Sequence, residues 1–262
     1  MSKQYEWDAS EGFAEFYERF FVPALFGDWA TLTVAAGKIR PGEKVLDVAC
    51  GTGVVARTAR QQTDFVTGLD LSDDMLAVAR LKDPSIEWKK GNAEDLPFDD
   101  STFDVVFSQF ALMFFPDKVG ALREMKRVGG RVVVAVWEEL DKTPGYREFV
   151  GLLQEEFGRE PADILTSPFT LGEKQVLEAI FLEAGIKPEI HTLETTARFP
   201  SMEAWITTDI RATPLSAMFN DDDLARLIEF GKQTLSEYEN EDGSISFPAP
   251  AHIVKSVKQY GG

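Results

Sequence analysis

The chain has 262 residues, with 44 acidic against 27 basic side chains and a formal net charge of −17. That length can bury the core of one large α/β domain, and such acidity argues against a nucleic-acid partner, whose phosphates call for a basic patch. Cys50 is the only cysteine, so no internal disulfide can form. No apolar signal core occurs in Met1–Asp8 and no run approaches the length of a membrane span, so a cytoplasmic protein is expected.

Residues 11–36 place Phe13, Phe16, Tyr17, Phe20, Phe21 and Leu25 at three- and four-residue spacings, an amphipathic helical pattern that Pro23 and Gly27 are expected to break into pieces. This segment either packs its aromatic face on the core or closes part of a ligand cavity. From Arg40 onward the rhythm changes. Strands are predicted at about 44–49, 65–69, 85–89, 103–108 and 130–136, with helices at about 53–62, 73–81 and 117–128. Strands separated by helices imply a parallel sheet of βαβ units.

Beyond Trp137 a helix is expected from Tyr146 to Phe157, then a proline-containing loop, then a helix over Gly172–Ala184 ended by Gly185. Residues 187–197 alternate like a strand, and 200–240 read as two helices, with Asp221, Asp222 and Asp223 at a helix start where carboxylates suit the dipole. Ala251–Val257 reads as a last strand. The expected organisation is a single domain over 1–262, with a core at about 37–137, 172–197 and 245–260. Cap segments are expected at about 1–36, 140–170 and 200–240.

The most informative stretch is Val45-Leu46-Asp47-Val48-Ala49-Cys50-Gly51-Thr52-Gly53, followed by Gly68-Leu69-Asp70. A short strand runs into a glycine turn that opens a helix, and the next strand ends in a carboxylate that can accept from ribose hydroxyls. Gly51-Thr52-Gly53-Val54-Val55-Ala56 fits the dinucleotide pattern, but Asp47 puts an anion where a pyrophosphate would approach. A cofactor carrying positive charge suits that position better. Other readings remain: Asp47 as a structural acid at a helix N-terminus, Asp70 as a helix cap before Ser72, and Cys50 as a nucleophile rather than a small turn residue.

These residues, with Leu71, Ser72 and Met75, Gly91-Asn92-Ala93-Glu94-Asp95-Leu96-Pro97-Phe98, Phe103-Asp104-Val105-Val106 and Ser108-Gln109-Phe110-Ala111-Leu112-Met113-Phe114-Phe115, resemble the class I S-adenosylmethionine-dependent methyltransferases, particularly the small-molecule branch that includes quinone C-methyltransferases. The resemblance covers about residues 40–137. It implies a Rossmann-like α/β fold: a seven-stranded, mostly parallel sheet with the last strand antiparallel, helices on both faces and helical cap insertions. It also implies S-adenosylmethionine as cofactor and S-adenosylhomocysteine as product. Asp47, Ala49, Gly51, Thr52 and Gly53 would line the methionine end. Asp70 would take the ribose, Leu71 and Met75 would flank the adenine, and Asn92, Ala93 and Glu94 would meet its edge. Ser108 and Phe110 would lie beside the methyl group. The family usually has Asp where Asn92 stands, and its longer link before the fifth strand is shortened here to Lys126-Arg127-Val128-Gly129-Gly130-Arg131.

No convincing general base emerges, since His191 and His252 read as surface or structural residues, and no metal-ligand spacing is found. The 20 phenylalanines exceed what a regular sheet requires. Tyr17, Phe20, Phe21, Gln109, Met113, Phe114, Trp137 and Trp205 are therefore candidates for a pocket holding a small, apolar or aromatic acceptor. The competing readings are a cofactor-binding protein without transfer activity, an NAD-dependent oxidoreductase, and methylation of a macromolecule.

Overall fold

The computed structural model describes residues 12–257. Residues 1–11 of the expected first cap segment, and 258–260 of the expected core, lie outside that range. The sheet has seven strands: β1 (Val45–Val48), β2 (Val66–Asp70), β3 (Glu87–Lys90), β4 (Phe103–Gln109), β5 (Gly129–Trp137), β6 (Pro188–Phe199) and β7 (Ile245–Ser256). Their order is β3-β2-β1-β4-β5-β7-β6. Strands β1 to β5 pair in parallel, and β7 runs antiparallel to both β5 and β6. All four residues of β1 are buried, as a central parallel strand covered on both faces requires, and its one charge is Asp47.

The strand order reverses between β1 and β4. In an open parallel sheet the connections then leave to opposite faces and open a crevice at the carboxyl ends of those strands. Helices α2 (Val54–Arg60), α3 (Asp73–Lys82) and α4 (Lys118–Val128) link the first five strands. Helix α4 passes into β5 with no intervening residue, so the shortened link is a direct helix-to-strand junction. Gly129 permits it: a Cβ there would lie 2.3 Å from Val106 Cγ2.

The first helix departs from expectation. Pro23 and Gly27 do not break it; α1 is continuous from Phe13 to Gly37, with Tyr17–Phe26 wound as a π-helix around Pro23. The wider turn accommodates a residue that lacks an N–H and whose ring would crowd the carbonyl one α-turn back. By length and composition this helix could cross a membrane, contrary to the sequence reading, with mean hydropathy 1.3 over its most apolar window. More than half of that window is buried, and Trp29, Ala30 and Val34 are packed in the core, so the second half of the segment is core rather than cap.

Helices α5 (Pro144–Phe157), α6 (Arg159–Thr166), α8 (Met202–Arg211) and α9 (Asp221–Thr234) fall in the segments expected to cap the core, a layer termed the lid, and α7 (Lys174–Glu183) precedes β6. The expected loop after α5 is helical as α6. Its Pro161 falls in the first turn, where a missing N–H costs no intrahelical bond. Strand β7 starts six residues before the predicted Ala251. Residues 245–250 pair with β6 and not with β5, Ile245 also bridging to Glu239, and the Pro250 carbonyl turns away from β6 to accept from Glu138 N. Pro248 and Pro250 therefore point their missing donors toward the unpaired side, the place where a strand tolerates proline.

Candidate functional site

The crevice is built from the turn after β1. Ala49, Gly51 and Gly53 all have positive φ, at 54°, 54° and 87°. The turn is tight because Trp88 of β3 is wedged beneath it: a Cβ on Gly53 or on Gly68 would lie 2.3 Å from the Trp88 ring. Trp88 is in turn held by its Nε1–H donating to Asp83 O at 2.8 Å. Nothing in the sequence reading pointed to Trp88. An aromatic residue in the strand following the Gly68-Leu69-Asp70 strand was the available signal.

Asp47 Oδ2 accepts from Ala56 N at 2.9 Å, in the first turn of α2, so the acid does cap a helix N-terminus. Its carboxyl is 1% exposed. Burial, with some help from the Asp70 charge, pushes its pKa up to about 8 against the pull of Ala56 N–H and Arg57. A buried carboxylate in this state is short of positive charge. Asp70, half-buried at the end of β2, accepts from Gly51 N through Oδ2 at 2.8 Å and from Ser72 N through Oδ1 at 2.9 Å. These bonds fix the carboxylate and leave further lone pairs open to a ligand. It ties the two strand ends together and is not simply a cap. Ser72, rather than Asp70, caps α3 by accepting from Met75 N.

The remaining candidates spread along the same edge. Thr52 Oγ1 and Ser108 Oγ are buried hydroxyls without a hydrogen-bond partner among the described residues, an arrangement that a native interior rarely leaves unanswered. Leu71, a large apolar side chain beside Asp70, is 67% exposed among the described residues. Asn92 Oδ1 accepts from Glu94 N at 3.1 Å, Ala93 is buried, and Glu94 accepts from Asp117 N at 2.7 Å, bracing α4. Cys50 is buried, and desolvation holds its thiol well above the usual range, which makes it a turn residue and a poor nucleophile. His191 lies on the surface against Glu189. His252 is fully buried, with Nε2 donating to Gly172 O at 2.7 Å and Nδ1 accepting from Thr192 Oγ1 at 3.0 Å.

Helix α1 closes over this edge. Arg57 of α2 binds Glu18 Oε1 and Oε2 at 2.9 and 3.2 Å and also donates to the Thr52 carbonyl. The ring of Tyr17 stands 4.0 Å from the Cβ position of Gly51. Its hydroxyl is held far above its ordinary pKa by burial and by the charges of Asp70, Glu18 and Asp47.

On its other side Tyr17 lines a cavity of about 260 Å³ between α1 and the lid. Phe21, Phe26, Phe110, Phe114, Trp137, Tyr146 and Phe169 supply further walls. Phe110, at φ 53°, stacks on Trp137 with ring centroids 3.8 Å apart and planes within 6°. A wider hollow of about 740 Å³ shares Phe114, Leu165, Pro168, Thr213 and Pro214 with this cavity and forms its outer approach.

Of the pocket candidates, Tyr17, Phe21, Phe114 and Trp137 come together here, and the other four do not. Phe20 faces a separate hollow beside Arg198. Gln109 is a clamp, accepting from Thr33 Oγ1 at 2.8 Å and donating to Phe26 O at 3.2 Å. Met113 is buried in the core, and Trp205 packs behind the wall among Phe149, Phe199 and Phe247. The sequence reading missed Asp209, which also lines the cavity. Its signal was present: in α8 the residues Trp205, Ile206, Asp209 and Ile210 share one buried stripe, which puts a lone acid among apolar side chains.

Residues 46–134 match the model of a methyltransferase domain. A demethylmenaquinone methyltransferase of Staphylococcus epidermidis is 34% identical over 176 residues, covering 60% of this chain and 73% of the relative. One from Lysinibacillus sphaericus is 40% identical over 128 residues, covering 46% of this chain and 55% of the relative. The chain thus spans little more than half the length of that second protein. A crystal structure from Anabaena variabilis, described as a methyltransferase of an antibiotic biosynthesis pathway, aligns with TM-score 0.67 at 17% identity, over 88% of this chain and 97% of that one. The chain belongs to the class I S-adenosylmethionine-dependent methyltransferases, and that fold implies S-adenosylmethionine as its cofactor. The matches give no support to the dehydrogenase reading.

Proposed function

We propose that the protein binds S-adenosylmethionine along the carboxyl edge of β1, β2 and β4 and methylates a small apolar or aromatic acceptor held in the cavity between α1 and the lid. The observation that carries this reading is Tyr17, whose ring stands 4.0 Å from where a Cβ on Gly51 would lie and which also lines the aromatic cavity. Cofactor edge and acceptor cavity thus share a wall.

Asp47 would meet the ammonium of the cofactor, directly or through water, and the turn from Ala49 to Gly53 would follow its methionine chain. Asp70 would accept from the ribose hydroxyls. Leu71 and Met75 would flank the adenine, with Asn92, Ala93 and Glu94 at its edge. Ser108 and Phe110 would stand where the two sites meet. The fit is chemical: among the described residues a buried acid only partly compensated by Arg57, two buried hydroxyls without a partner and a largely exposed leucine lie on one edge.

The cofactor supplies an electrophilic methyl group on a sulfonium, open to in-line displacement. The chain's own contribution is to hold the acceptor at about 3–3.5 Å in the right orientation and keep water out. The stacked Phe110 and Trp137 and the rings of Tyr17 and Phe26 suit that task. A cytoplasmic location and a small-molecule rather than nucleic-acid partner belong to this reading. The demethylmenaquinone methyltransferases among its relatives make a quinol-type ring one acceptor to try.

Calorimetry with S-adenosylhomocysteine tests the cofactor half, and transfer of a labelled methyl group to an acceptor library tests the other. Micromolar binding, with turnover confined to acceptors that carry an apolar or aromatic body, is expected. No binding, or turnover only of highly charged polar acceptors, would overturn it.

A further inference from the structure

Asp209 is 2% exposed, projects from the middle of α8 and lines the aromatic cavity. Its carboxylate receives the Tyr146 hydroxyl, 3.2 Å from Oδ1 and 3.3 Å from Oδ2. Among the described residues no arginine, lysine or histidine lines the cavity. An acid placed in such surroundings is costly as an anion, since these uncharged neighbours cannot replace the water it has lost. Eight aromatic rings nevertheless surround the cavity it opens onto: Phe13, Tyr17, Phe21, Phe26, Phe110, Phe114, Trp137 and Phe169, with Tyr146 beside the acid itself.

Aromatic faces carry negative potential and attract an organic cation, most strongly where water is excluded, and a buried carboxylate supplies the matching charge. Neither feature helps a neutral quinone or hydrocarbon, for which a leucine in place of Asp209 would serve better. The outer approach leans the same way. It carries Glu160 and Asp163 against Arg159, and Arg159 is already paired with Asp163 at 3.2 Å. The whole chain, at −17, favours the approach of a cation.

We infer that the cavity takes an aromatic or apolar amine in its ammonium form, with the nitrogen at Asp209 and the hydrocarbon body among the rings. This deepens the proposed function and rests on it, naming the acceptor as an amine. An ammonium nitrogen has no lone pair to offer. When one N–H bond breaks and its proton joins an Asp209 oxygen, the electron pair stays on nitrogen, which becomes a nucleophile. Asp209 would then be both the specificity residue and the proton acceptor, and Tyr146 a positioning residue for its carboxylate.

The test uses three probes of one size and different charge: phenethylamine, 2-phenylethanol and phenylacetate. Each is titrated calorimetrically into the full-length protein saturated with S-adenosylhomocysteine. Phenethylamine is expected to bind at least tenfold more tightly than the alcohol, with the acid weakest. In Asp209→Asn the amine and alcohol should bind within threefold of each other, with S-adenosylhomocysteine affinity unchanged. Tyr146→Phe, which retains the carboxylate, should keep the preference for the amine. The comparison among probes in the unmodified protein decides the matter even if Asp209→Asn does not fold. Equal binding of amine and alcohol, or an amine preference that survives Asp209→Asn, would overturn the inference alone. Failure of the unmodified protein to bind S-adenosylhomocysteine would overturn the functional reading beneath it.

Discussion

Two buried carboxylates, Asp47 and Asp209, face opposite kinds of surroundings. Asp47 lies on the central strand of the sheet, where a helix N-terminus and the nearby Arg57 partly compensate it. Asp209 lies on a lid helix, where burial raises its pKa well above the usual carboxylate range and the Tyr146 and Trp205 side chains oppose it only in part. The first belongs to a run of residues contiguous in sequence and fixed by βαβ geometry. The second depends on α1, α5, α8 and the end of β4 meeting in space. The difference teaches where each kind of specificity would reside under the proposed function: the cofactor at the sheet edge, the acceptor under the lid.

The largest expected effect breaks the sheet side. Gly53→Ala combines a φ of 87° with a Cβ 2.3 Å from Trp88, so urea unfolding should show a loss of about 3 kcal/mol or more. A loss below about 1 kcal/mol would remove the Trp88 wedge as the reason for the glycine. Asp70→Ala should come next. Charge-assisted hydrogen bonds are worth about 1.5–3 kcal/mol each, so S-adenosylhomocysteine affinity should fall roughly ten- to hundredfold by calorimetry. Probe binding in the aromatic cavity should change far less, and an equal loss at both sites would erase the distinction between the two regions.

Asp47 gives a pH signature. Its pKa rises from an ordinary 3.8 to about 8 in the folded chain, so below pH 8 it is mostly protonated until a cation arrives. A ligand ammonium ionises it, so S-adenosylhomocysteine binding at pH 6.5 should release close to one proton, seen as a dependence of the calorimetric heat on buffer ionisation. With respect to this group, affinity should rise with pH up to about 8 and then level off, and Asp47→Asn should abolish the release. The sign for stability is the reverse. The raised pKa contributes fully below the unfolded value of 3.8 and is lost as pH climbs toward 8, so Asp47→Asn should flatten that decline in the ligand-free protein. The smallest effect belongs to the latch between the two regions. Glu18→Gln weakens a partly exposed pair with Arg57, worth about 0.2–1 kcal/mol. Stopped-flow release of S-adenosylhomocysteine should quicken about two- to fivefold.

Much of this was legible along the chain. The alternation from Val45 to Trp137 located five strands and three helices because parallel strands buried on both faces must be apolar runs punctuated by turns. Asp47, the glycine turn and Asp70 stood out as polar residues interrupting those runs. What misled was local punctuation. By sequence Pro23 marks a break and Pro161 a loop, yet the first sits in a π-wound turn and the second in a first helical turn that needs no donor. Phe20, Gln109, Met113 and Trp205 were reasonable candidates by type, but only packing decided that they support walls, clamp a helix or face elsewhere.

The sequence by itself determined the sheet, the turn and the kind of cofactor, because those depend on residues whose spacing along the chain is their spacing in space. The tertiary structure decided the aromatic cavity, the Trp88 wedge and the partnership of Asp209 with Tyr146. That last pair lies 63 positions apart, and no local period records which side chains a lid will bring face to face.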